Sequence, residues 1–92
     1  MESSKIVITV VGKDRVGIIA AVTGVLADTH VNILDISQTI MQNFFTMILV
    51  ADTNSTKIDY SDLLIRLEDT GNELGVKITV QREDVFNYMH RI

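Results

Sequence analysis

The spacing of apolar residues in this chain switches between a period of two and a period near 3.6, and each switch marks an element boundary. Lys5 to Val11 (KIVITVV) is a short, mostly apolar, β-branched run, which predicts a strand covered on both faces. Gly12 to Gly17 punctuates it. From Val16 the spacing becomes helical, with Ile19, Val22 and Leu26 on one stripe and Ile18, Val22 and Val25 beside it. Asp14, three residues ahead of Gly17, is the expected N-cap, since a carboxylate there accepts orphan amide protons. The helix is expected to end near Thr29.

Asn32 to Met41 alternates, Leu34, Ile36 and Ile40 against Asp35, Ser37 and Thr39, as a half-buried strand does. Gln42-Asn43 reads as a tight hairpin tip, with Asn43 suited to positive φ. Phe44 to Ala51 is apolar on both parities, and Asp52 to Lys57 is a polar loop. A second helix starts with Asp59 as N-cap, Asp62 in the first turn and Ile58 stapled to Leu63. Its stripe is Leu63, Leu64, Leu67 and Leu74, and Gly75 stops it. Val76, Ile78 and Val80 alternate with Lys77, Thr79 and Gln81 as a fourth strand. Glu83 to Ile92 carries Val85, Phe86, Met89 and Ile92 at helical spacing.

The order is therefore βαββαβ plus a short C-terminal helix over 83–92. Strands one and three are apolar on both faces, while two and four are polar on one. That parity places one and three at the centre of a four-stranded antiparallel sheet, in a ferredoxin-like α+β sandwich with both helices on one face. The apolar second face then needs a cover, from the terminal helix or from another subunit.

Length adds that 92 residues make one domain, 1–92, with 1–4 a flexible N terminus. The chain has no cysteine to staple so small a core, yet 47% of its residues are hydrophobic, which points to burial in a subunit interface. Twelve acidic against eight basic side chains, with no basic stretch, argue against nucleic acid as a partner. Met1-Glu2-Ser3-Ser4-Lys5 does not read as a signal peptide, and Val16 to Ala27 is too short to span a bilayer. A cytoplasmic protein with no membrane partner is the expectation.

The best candidate for chemistry is the first turn and the helix after it. Free N–H groups and the helix dipole there suit a carboxylate or phosphate. Gly17, without a Cβ, lets a ligand approach the backbone. Asp14 can pair with an amine, so the turn suits a zwitterion such as an amino acid. The same residues also serve as cap and packing alone. Asp35, Ser37 and Thr39 are either a ligand wall or the wet side of an edge strand. His30 and His90 lack metal-ligand spacing, so no metal and no cofactor is expected. Phe44-Phe45 lacks the partner aromatic on strand one that an RNA-stacking sheet needs. Gly12 and Arg15 suggest a phosphate loop, but Asp14 between them repels a phosphate. Asp14 with Asp35 has no nucleophile or base beside it, so an enzyme is not expected.

The stretch VVGKDRVGIIAAVTGVLADTHVNILDISQT resembles the opening half of an ACT domain. Its marks are the acidic-x-x-Gly turn of Asp14 to Gly17, the apolar helix, and Val31-Asn32-Ile33 at the second strand. FFTMILV fits the third strand and VKITV the fourth, so the resemblance covers the whole chain. Its length and ending are similar to small stand-alone ACT-domain proteins of bacteria and archaea, and part of it to ACT segments of the glycine cleavage repressor and formyltetrahydrofolate deformylase. The resemblance implies a regulatory domain that binds an amino acid between subunits of a homodimer or higher homo-oligomer, and no catalysis. Carried over by position, Asp14, Arg15, Val16, Gly17 and Ile18 form the turn side of a ligand site, and Asn32 the neighbouring subunit's side. Gly12, Asp14, Val16 and His30 replace the histidine, asparagine, proline and glycine of some members, which leaves the ligand open. The alternative is a protein–protein interaction module that takes no small ligand.

Overall fold

The computed structural model describes residues 4–83. The order is β1 (Lys5–Lys13), α1 (Ile18–Asp28), β2 (Asn32–Met41), β3 (Phe44–Asp52), α2 (Tyr60–Leu74) and β4 (Val76–Arg82). The sheet order is β2-β3-β1-β4 with every pair antiparallel, so β1 and β3 are central as the parity of their apolar residues requires. This is the expected ferredoxin-like α+β sandwich. The proposed terminal helix lies outside the described residues from 84 onward. Ser4 is tied down, its hydroxyl donating to Asp52 at 2.8 Å and its carbonyl accepting from the Thr53 N–H at 2.9 Å.

One sheet face carries the core. Ile6, Ile8 and Val10 of β1 and Phe45, Met47 and Leu49 of β3 are buried beneath Val22 and Leu26 of α1 and Leu63 and Leu67 of α2. On the other face Val7 is buried, but Val11 and Ile48 remain 41% and 40% exposed, so β1 is not covered along both faces.

Three expectations about local structure are corrected. First, the N-cap of α1 is Gly17, not Asp14. Gly17 holds φ at +94° and its carbonyl takes the first helical bond, from Ala21, at 2.9 Å. Asp14 sits too far back to cap. Its N–H instead donates to the Asn43 carbonyl at 2.7 Å and fastens the turn to the hairpin tip. Second, the buried stripe of α1 is Ile18, Val22 and Leu26, while Ile19 is 37% exposed. Third, a β-bulge between Ile33 and Asp35 leaves Leu34 unpaired and exposed, and Ile33 packs against the core. The bulge adds one residue to β2 and shifts the phase of everything before it.

The remaining turns follow their residues. Gln42 (φ 50°) and Asn43 (φ 72°) make a two-residue primed turn between Met41 and Phe44. Asp59 is the N-cap of α2, with Asp62 in the first turn but no side-chain cap bond, and Gly75 at φ 74° ends the helix.

The exit from α1 shows a local cost. The Val31 N–H bonds the Leu26 carbonyl at 2.9 Å and the His30 N–H bonds the Ala27 carbonyl at 3.2 Å. These are the paired bonds of a Schellman motif, with buried Val31 beside Leu26 as its apolar contact. His30 occupies the left-handed position at φ 61°, where an L side chain costs about 1–2 kcal/mol and glycine does not. His30→Gly should therefore raise unfolding free energy by ~1 kcal/mol, the glycine's extra unfolded-state entropy offsetting part of the gain. A lower urea midpoint would show that His30 makes compensating contacts.

Candidate functional site

At the β1–α1 end of the molecule a hollow of about 220 Å³ opens between the start of α1 and the edge strand β2. Its walls are Asp14, Arg15 and Gly17 of the turn, Ile18, Ile19 and Ala20 of α1, Gln38 and Ile40 of β2, and Phe45 of β3. The hollow exists because β2 is an edge strand whose helix-side residues are incompletely covered. By register, Ile36, Gln38 and Ile40 lie opposite the buried Leu49, Met47 and Phe45, yet all three are exposed.

The chemistry of this end follows from the helix start. No side chain caps α1, so the amides of its first turn, Ile18 to Ala20, carry the unsatisfied donors of a helix N terminus. No acidic side chain lies in that turn, and the partial positive charge there is left for an external anion. The Asp14 carboxylate is exposed on the rim, and no cap bond engages it.

The other residues picked from sequence separate into different roles. Arg15 turns its guanidinium toward the end of α2, where Nη1 donates to the Leu74 carbonyl at 3.1 Å. With no basic residue in the last turn of α2, Arg15 supplies the cation that this helix terminus favours. Val16 is 95% exposed and points away from the core, whereas the Ile18 side chain is buried within it. Gly12 is a close-approach position: a Cβ there would stand 2.7 Å from Val76 Cγ1, so no histidine side chain could occupy it without displacing β4.

Asn32 lies at the opposite end of β2, across from Asp52, so the turn and Asn32 do not meet within one chain. Ile40 lies opposite Phe45, seven steps along β3 from Asp52, which is roughly 23 Å along a strand. The Asp52 carboxylate is occupied locally: Oδ1 accepts from the Asn54 N–H and from Ser4 Oγ, each at 2.8 Å. These two bonds, the amide first, hold its pKa below the ordinary value.

Sequence reading missed Gln38, Ile40, Phe45, Ile19 and Ala20 as walls. One signal was available: Gln38 interrupts the helix-side phase of β2 between Ile36 and Ile40. A larger hollow of about 420 Å³ lies between α2 and β4, lined by Glu68, Gly71, Asn72, Gly75, Val76, Lys77 and Ile78. It is a groove along the outer edge of β4, floored by Val76 and Ile78. Among the described residues no group of three or more His, Cys, Asp or Glu is placed to hold a metal, and no helix is long and apolar enough to cross a membrane.

A family model described as ACT domain matches residues 4–81. The chain belongs to the ACT domain family. It is 53% identical over 89 residues to a UPF0237 protein of Methanocaldococcus jannaschii, covering 97% of this chain and 99% of that one. A UPF0237 protein of Methanosarcina acetivorans is 51% identical over the full length of both chains. Among solved structures, the ACT domain protein from Streptococcus pneumoniae superimposes with a TM-score of 0.79 at 43% identity, covering 91% of this chain and 94% of that one. The regulatory subunit of aspartate kinase from Thermus thermophilus shares the fold (TM-score 0.66, 21% identity, 85% of this chain and 50% of that one). ACT domains are in general regulatory domains that bind small molecules, often amino acids.

The far end of the sheet supplies a test of its own. Because the folded pKa of Asp52 is depressed, its charge stabilises the fold above the unfolded carboxylate value of 3.8, and this is lost as pH falls through the lower folded pKa. Asp52→Asn should lower the melting temperature at pH 7, and the gap to the parent should narrow as pH falls below the ordinary carboxylate range. A gap independent of pH would mean that the carboxylate charge is not what the Ser4 and Asn54 bonds use.

Proposed function

We propose that this ACT domain is a regulatory module that binds an amino acid in the hollow between the start of α1 and β2, and that it works as a homo-oligomer. The observation that carries the reading is the helix N terminus without a side-chain cap, opening onto a hollow bordered by a free carboxylate. The α1 amides suit the ligand's carboxylate, Asp14 suits its ammonium group, and the hollow accepts a small side chain between Ile19 and Ile40. Gly17, Ile18 and Asp14 make the turn side. Arg15 and Val16 contribute through their main chain, given where their side chains go.

The oligomer supplies the other side. β2 is an edge strand, and Ile19, Leu34, Ile36 and Ile40 leave an apolar shoulder along it. Antiparallel pairing of two β2 edges about a two-fold axis between Ile36 and Ser37 would set Asn32 of the partner subunit opposite Met41. There it adjoins Ile40 and the hollow. Each of the two hollows would then be completed by the other subunit.

A second reading has an observation behind it too. Val11, Met41, Phe44 and Ile48 are exposed together on the open sheet face, which favours a protein-docking surface without a small ligand. A thermal-shift panel of the twenty amino acids separates the two. Saturation at a hundredfold excess over Kd should stabilise the protein by about 2.7 kcal/mol. Gly17→Val, which forces a β-branched side chain into a φ of +94° beside the hollow, should abolish that shift. Asn32→Ala should weaken it without unfolding the chain. A panel with no stabilising member would favour the docking surface.

A further inference from the structure

We infer that Gln38 is the specificity-determining residue of the hollow, and that it selects a neutral amino acid whose side chain ends in an amide or a hydroxyl. This rests on the amino-acid reading of the site and goes beyond it.

Three features converge on Gln38. Its register places it on the helix side of the sheet, opposite the buried Met47, in a phase otherwise held by Ile36 and Ile40. Gln38 is exposed, so its amide is open to exchange water for the polar group of a ligand. Among the described residues no hydrogen bond claims its amide, although it lines the hollow directly. Finally, the anchors proposed for the ligand backbone all lie on the α1 side: the amides of Ile18 to Ala20 and the Asp14 carboxylate. A ligand held there extends its side chain across the hollow toward β2, where Gln38 provides both a donor and an acceptor between apolar neighbours.

The charges narrow the choice. The Arg15 guanidinium is directed at the Leu74 carbonyl and the end of α2, not at the β2 side of the hollow where an acidic ligand side chain would end. Asp14 is the one acid among the described residues that line the hollow, and with it assigned to the ligand's ammonium group a basic side chain has no second carboxylate to meet. Amide and hydroxyl side chains fit, and they can exchange hydrogen bonds with Gln38. Apolar isosteres would leave its amide unmatched.

Two isosteric pairs make the test direct. Calorimetric titration of the full-length protein should give L-asparagine at least about tenfold tighter binding than L-leucine, and L-threonine tighter than L-valine, the scale of one net hydrogen bond. Gln38→Met keeps the size, lies on an exposed strand position, and should erase or reverse both preferences while circular dichroism stays unchanged. Leucine binding as tightly as asparagine in the parent protein, or selectivity that survives Gln38→Met, would overturn the assignment while leaving the hollow as the binding site. Should Gln38→Met not fold, the parent protein's two ratios decide the matter alone. If none of the four amino acids binds, the assignment to Gln38 fails, while the site reading fails only if the panel of twenty amino acids also has no stabilising member.

Discussion

The geometry at the β1–α1 end of the molecule depends on one backbone conformation. At φ +94°, Gly17 turns the chain from the end of β1 straight into α1, and an L side chain there would cost about 1–2 kcal/mol. With glycine as N-cap no side chain folds back over the helix start, so the first-turn amides face the hollow unspent. The same turn is held from behind. The Asp14 N–H bonds the Asn43 carbonyl of the hairpin tip, and Arg15 reaches the last carbonyl of α2. The hollow therefore has a floor set by the sheet and a wall set by a helix whose start cannot drift.

The second determinant is the limited reach of two helices over four strands. α1 and α2 seal β1 and β3, which supply most of the buried residues, and leave the helix-side residues of β2 partly open. An uncovered edge strand with an apolar shoulder usually finds a partner, whether ligand, subunit or both. Small size adds to this, since a chain of 92 residues gains proportionately more from association than a larger one. The proposed site and the proposed interface both draw on this same incomplete coverage.

Much of this was legible in the sequence. The limits of β2, the Gln42-Asn43 tip, Asp59 at the start of α2 and Gly75 at its end follow from alternation and turn chemistry, each with a residue that fits few other conformations. What was not legible turned on offsets of a single residue. Ile19/Val22/Leu26 and Ile18/Val22/Leu26 are equally good helical stripes that differ only in residues 18 and 19, about 100° apart on the helix, and only the turn decides between them. An extra residue at Leu34 cannot be seen in an alternating pattern that resumes after it. Asp14 satisfied the composition of a cap but not its position, because a glycine at positive φ starts the helix later. Of the candidate site, Asp14, Gly17 and Ile18 meet in one hollow, Arg15 lines it while serving α2, Val16 faces solvent, and Asn32 lies at the other end of β2.

The proposed amino-acid site is decided by where a small ligand sits, and two hollows compete for it. Backbone amide chemical shifts followed by NMR during titration with L-asparagine resolve them residue by residue. The largest changes should fall on Gly17 to Ala20 and on Gln38 to Ile40. Changes centred instead on Gly71 to Ile78, along the groove of α2 and β4, would contradict it.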